Sequence, residues 1–149
     1  MENLYGTEAT KAILTRIENL KPDASKQWGK MDVSQMMAHC SAALEVATDQ
    51  KRIPRIFIGR ILGPLFKSSY HSDKPFGKGS PTANEFIITD QRDFDKEKAR
   101  LIKLVKQFAE GGEAKCTKEP HSFFGSLTAQ EWGTGMYKHM DHHLRQFGA

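Results

Sequence analysis

Apolar residues recur every three or four positions in five separate stretches, a period that fits the α-helix and not the strand. Ala9, Ile13, Ile17 and Leu20 mark the first, over residues 7–20, and Pro22 closes it. The second opens on Asp32 as N-cap, with Gln35 three residues on completing a capping-box variant. Met31 and Met36 are placed around it as a hydrophobic staple, and the helix should run to about Thr48. The third covers residues 53–66, with Ile56, Phe57, Ile61, Leu62 and Leu65, and Pro64 is expected to kink or end it. The fourth spans residues 90–108 and sets Phe94, Leu101, Leu104, Val105 and Phe108 on one face before Gly111-Gly112 stops it. The fifth starts at a Thr128-x-x-Glu131 capping box and ends before Gly148. Between residues 68 and 87 the period breaks at Pro75, Gly77, Gly79 and Pro81. Loops that long in a compact domain are usually functional or mobile, so this one is a candidate cover for a site. Phe86-Ile87-Ile88 has extended character but no partner strand. The expectation is an all-α helical bundle.

Composition narrows the class. A chain of 149 residues fits one domain, here residues 1–149. The formal charge is +4, but both signs are interspersed and no basic arm stands out, which argues against nucleic acid as partner. Two cysteines, Cys40 and Cys116, form no CxxC pair and fit a reducing cytoplasm. No apolar run reaches the length of a membrane span, and residues 1–20 lack a signal-peptide core. Residues 52–67 mix Arg52, Arg55, Arg60 and Lys67 with bulky apolar residues that cover too much of the helix for a simple stripe. Packing or a dimer interface is favoured there over a membrane surface.

The excess to explain is histidine, six in all, three of them in His139-Met140-Asp141-His142-His143. With successive helical residues offset by about 100° and Trp132 at zero, His143 falls at about 20° and His139 at about −20°. Met136, Met140 and Phe147 share that side, while Lys138, Asp141 and Arg145 lie opposite. His139 and His143 are therefore one turn apart on the apolar face, where two rings can converge on one ion. His142 sits at the edge. A third ligand is wanted, and His39, inside the apolar arc of Met36, Met37, Cys40 and Ala43, is the best candidate. Three imidazoles in one small core are mutually costly unless something coordinates them. A lone buried histidine is more often a hydrogen-bonded core residue, and HxxxH arises in helices by chance. The three together favour a divalent metal.

The chemistry excluded is as informative. Met140 stands where the general base of an H-E-x-x-H protease would be. No E-x-x-H is present, so the di-iron carboxylate bundle is ruled out. Three nitrogens without a clear fourth protein ligand leave coordination positions open, as in catalytic rather than structural zinc. Such donors suit zinc, nickel, iron or copper. Cys40 reads as a small core residue. Cys116, between Lys115 and Lys118, has neighbours that lower a thiol pKa, with nothing else to support a nucleophile. His121 is either an acid or base at the metal mouth or, more simply, a loop histidine bonded to backbone. His71 is expected in solvent, and Trp28 and Trp132 are expected as core anchors.

The run Met36-Met37-Ala38-His39, followed about a hundred residues later by His139-x-x-x-His143, resembles the DinB-like superfamily. The stretches His121-Ser-Phe-Phe-Gly125, Leu127-Thr-Ala-Gln-Glu-Trp132 and Lys138-His-Met-Asp-His-His-Leu-Arg-Gln-Phe-Gly148 resemble an uncharacterised bacterial branch of it. The resemblance implies a four-helix bundle with additional short helices, often dimeric, whose metal ligands map by position onto His39, His139 and His143. In many relatives Arg-Gly-Gln follows the last ligand; here Leu144, Arg145 and Gln146 follow His143. Characterised relatives include transferases and an isomerase that use low-molecular-weight thiols. The expected function is thus that of a metal-dependent enzyme acting on a small molecule, first a thiol-dependent S-transferase, second a metal-assisted hydrolase. The rival from another class is a non-enzymatic bundle that binds metal or a small ligand structurally.

Overall fold

The periodic stretches are helices in the computed structural model, which describes residues 1–149, and no strand forms. The helices are α1 (Thr7–Asn19), α2 (Val33–Ala47), α3 (Phe57–Tyr70), α4 (Phe94–Gly111) and α5 (Ala129–Gln146). Single 3₁₀ turns lie at Asn84–Phe86 and Glu113–Lys115. The fold is all-α, as the period required.

Local chemistry sets the helix ends. The Asp32 carboxylate accepts from the Gln35 backbone N–H at 2.8 Å, and the Gln35 side chain accepts from the Asp32 N–H at 2.9 Å. Thr128 and Glu131 close the same reciprocal box on α5, at 3.1 and 2.8 Å. Asp93 caps α4 through the Lys96 N–H at 2.8 Å, so that helix starts later than its apolar pattern indicated. Gly112, at φ +57°, turns the chain out of α4 in the left-handed region that glycine enters without strain.

α2 is the central element and packs on both α4 and α5; α1 fills in against α4 and α5. Along α2 only Gln35, Glu45 and Val46 escape full burial, and the helix tolerates enclosure because Ala38, Ser41, Ala42, Ala43 and Ala47 keep it slim. Ile13, Ile17, Met36, Met37, Leu44, Leu101, Val105, Phe108, Trp132, Met140 and Leu144 form the core around it. Each large side chain enclosed there stabilises the fold by roughly 1.5–3 kcal/mol.

α3 departs from expectation twice. It does not end at Pro64 but runs on to Tyr70, with Pro64 on the exposed side. Nor are its bulky residues enclosed by this chain. Phe57 is 78% exposed and Leu65 74%, with Ile58, Ile61 and Phe66 also open. The inner face is Gly59, Gly63 and Tyr70. A Cβ at Gly59 would stand 2.7 Å from Phe123 Cα, and one at Gly63 would strike the Phe123 carbonyl. The helix lies directly on the 122–124 backbone, also tied by the Ile56 N–H to the Ser122 carbonyl at 3.1 Å. Glycine is what allows that approach, and it leaves the apolar bulk pointing away.

Candidate metal centre

The α2–α5 seam brings together the three histidines singled out by their helical phase. Their nitrogen donor atoms all lie within 4.8 Å of one another. Ring centroids stand 4.9 Å apart for His39–His139, 4.6 Å for His39–His143 and 4.7 Å for His139–His143. His39 and His143 are buried, and His139 keeps partial exposure. The long loop reaches this site through its 3₁₀ turn, where Phe86 lies against His39.

The hydrogen bonds fix which nitrogens are free. His39 Nδ1 lies 2.8 Å from the Phe86 carbonyl, which only accepts, so Nδ1 carries the proton and Nε2 a bare lone pair. His143 Nδ1 lies 2.8 Å from Gln146 Oε1. The Gln146 amide is held in turn, since its Nε2 donates to the Trp28 carbonyl at 2.8 Å. His143 is thereby also the Nδ1–H tautomer, with Nε2 free. His139 Nε2 faces His39 Nε2 at 2.9 Å, while its Nδ1 is buried without a partner.

Neither tautomer of His139 resolves this arrangement. A proton on Nε2 bonds to His39 but leaves Nδ1 a buried bare acceptor. A proton on Nδ1 is itself orphaned and sets two lone pairs face to face. A cation between the Nε2 atoms removes that repulsion. Nitrogens bound tetrahedrally to one zinc ion at about 2.0–2.1 Å stand roughly 3.3 Å apart, so the 2.9 Å pair would open slightly and the rest of the set, within 4.8 Å, would close around an ion. Backbone carbonyls and amides orienting the far nitrogen are also what ligating histidines ordinarily have. The donor set fits a divalent ion.

Electrostatics agree. Burial holds all three imidazoles below the ordinary histidine value, His143 down to about 3 and His139 well below; neighbouring imidazoles add to it for those two, while the Phe86 carbonyl partly offsets it for His39. They are neutral bases near pH 7, the state a metal requires.

The remaining candidates separate. His142 packs on His143 at 5.0 Å, at the edge where its phase put it. His121 turns inward against Tyr70, Phe124 and Trp132. Its Nδ1 accepts the Phe123 and Phe124 N–H groups at 3.1 and 3.2 Å, and burial, with Arg55 nearby, lowers it to about 4. The backbone-bonded reading of His121 therefore describes it. His71 is not simply solvated; it meets Glu131 at 3.3 Å. Cys40 is a core residue, beside Met36. Cys116 is buried, and burial raises its thiol pKa, which overrides the expected influence of Lys115 and Lys118. Trp132 is a core anchor, but Trp28 is partly exposed and packs on His142 at 5.4 Å.

Two partners of the site were not anticipated. Phe86 acts through its carbonyl, which side-chain pattern does not reveal. Gln146 stands three residues after His143, a helical neighbour that the spacing rule identifies once His143 is a ligand.

Fold and site together define an all-α protein with a buried three-histidine cluster, free of carboxylates, at one helix seam. The chain belongs to the family described as "Protein of unknown function (DUF1569)", whose model matches residues 3–149. No curated protein and no solved structure matches it. No helix is long and apolar enough to cross a membrane.

Proposed function

We propose that this protein is a metal-dependent enzyme on the DinB-like plan, with His39, His139 and His143 holding a zinc, nickel or iron ion, and that it transfers groups to or from a low-molecular-weight thiol. The observation that carries the reading is the Nε2–Nε2 approach of His39 and His139 at 2.9 Å, with the His39 proton committed to the Phe86 carbonyl. Bound there with three neutral nitrogens and open positions, a divalent ion supplies Lewis acidity that lowers the pKa of a thiol or water. The chain's own residues perform the rest. The Phe86 carbonyl and Gln146 set the tautomer and angle of two rings. Phe86 also sets its ring edge-on to His39 at 6.1 Å. His142, half-buried beside His143, stands at the rim of the cluster.

Protein purified without a histidine tag and stripped of metal should take up one equivalent of cobalt or zinc. His139→Ala and His143→Ala should each abolish that uptake. Absence of stoichiometric metal, with both variants leaving stability unchanged, would sink the metal site. If the visible spectrum of the cobalt-loaded protein ignores added thiol, transferase chemistry falls while the site stands.

A further inference from the structure

The rim of the histidine cluster is built from aromatic rings, and each of two rings carries an ammonium group. His142, in contact with His143, is flanked by Trp28 at 5.4 Å and by Phe76 of the long loop at 6.1 Å. Lys78 Nζ stands 4.5 Å over the Trp28 ring, and Lys138 Nζ stands 4.5 Å over the Phe76 ring. Neither lysine takes part in an ion pair, although Arg16, Arg52, Lys67, Arg92, Arg100 and Arg145 all find carboxylates. Lys138 bonds only to the Ser69 carbonyl, at 2.6 Å.

Charge bookkeeping at the site is correspondingly one-sided. The three imidazoles are neutral, no carboxylate belongs to the cluster, and the two ammonium groups on the rim make no ion pair. An ion held by neutral nitrogens keeps its full positive charge. The rim sets two ammonium groups against aromatic walls with no carboxylate in ion-pair contact with either, Asp73 and Asp141 acting on Lys138 and His142 only from beyond contact distance.

We propose that the ligand of this site is an organic anion, with its carboxylate or phosphate between Lys78 and Lys138 and its apolar body on Trp28 and Phe76. In that pose the aromatic walls supply contact area and the ammonium groups supply the selectivity for charge. The inference deepens the metal-site reading by naming the class of substrate, but the two lysines and two rings stand whether or not metal binds. It also gives Trp28 a role that a core anchor lacks.

The test uses 3-phenylpropionate and its uncharged isostere 3-phenylpropanamide, titrated calorimetrically into metal-free and zinc-loaded protein whose metal content has been measured. The acid should bind at least ten-fold more tightly than the amide in both forms, and the gap should shrink as salt rises. Lys78 is exposed and outside the core, so Lys78→Gln should fold; it should erase several-fold of the preference, and Lys78→Gln with Lys138→Gln nearly all of it, with amide affinity unchanged. Equal binding of acid and amide overturns the proposal, as does a double variant that keeps the preference while its circular dichroism is native. Failure of metal uptake alone falls on the metal reading. The anion preference of the metal-free protein then decides this one separately.

Discussion

The α2–α5 seam and the outer face of α3 both invert the usual partition of side chains, in opposite directions. The seam encloses polar imidazoles; α3 leaves Phe57, Ile61 and Leu65 in the open. What differs is how much surrounding structure each inversion recruits. At the seam two of the three imidazoles have dedicated support, the Phe86 carbonyl for His39 and Gln146, itself held by the Trp28 carbonyl, for His143, while His139 Nδ1 is left without a partner. On α3 nothing in the chain answers the exposed face, and the support lies wholly beneath it, at Gly59 and Gly63. Apolar surface in water costs little per residue and is common on folded proteins. An unsatisfied polar group inside costs about 1–3 kcal/mol and is rarely tolerated without a reason. The seam is therefore the inversion that points to chemistry.

The sharpest way to break that contrast is His139→Leu. In metal-free protein the orphaned Nδ1 disappears and a similar volume stays filled, so stability should hold or rise. In the presence of zinc the sign reverses. Zinc at a thousand-fold over its Kd stabilises the parent by about 4 kcal/mol, and the variant should gain none of it. Thermal melts with and without zinc read both effects. A large loss in the metal-free variant would make His139 an ordinary core residue.

Gly63→Ala probes the underside of α3. The added Cβ meets the Phe123 carbonyl, a backbone atom that cannot swing aside. The expected loss is about 2–3 kcal/mol by chemical denaturation, in the range of overpacked cores. A neutral result would mean that α3 rides loosely on residues 122–124.

Gln146→Leu tests whether the seam's support matters to the ion. Loss of such an orienting partner typically lowers metal affinity ten- to a hundred-fold, and a competition titration with a chromophoric chelator should find that. Unchanged affinity would leave Gln146 as packing only.

Acid should weaken the metal-free fold. His39, His121 and His143 have folded pKa values below the ordinary 6.5, so the unfolded chain binds the extra protons. Stability is complete above pH 6.5 and declines as pH falls toward 4 and then 3, where His121 and His143 finally protonate in place. Between pH 6.5 and 5.5 each histidine held neutral costs about 1 kcal/mol. A flat profile over that interval would show that these imidazoles are hydrated.

These expectations also divide what could be read from residue order. His39, His139 and His143 were legible because helical phase alone places them on apolar faces, and that phase survives whatever the loops do. The Asp32 and Thr128 caps were legible because their chemistry is local. Trp28, Cys116 and the direction of α3 were not. Each depends on where segments 20–32, 71–93 or 112–128 return across the bundle, and no short-range pattern encodes a loop's return. The stretch at 52–67 favours packing or a dimer interface by its apolar bulk, without showing which face the chain itself buries. Its phase in fact sets Gly59, Gly63 and Tyr70 on the packing face, and small residues do not register as an apolar stripe.

The smallest effect is the one that keeps the comparison intact. Leu65 is 74% exposed and lies on the opposite side of α3 from Gly63. Leu65→Gln removes an apolar side chain that this chain does not enclose, and glutamine has a helix propensity close to leucine's. The expected change in unfolding free energy is therefore within about 0.5 kcal/mol, measured at low protein concentration. A loss above 1.5 kcal/mol would require the outer face to be packed in solution, since no burial within the chain accounts for it. The two sides of α3 would then resemble each other, and the exposed face would no longer be the inexpensive inversion.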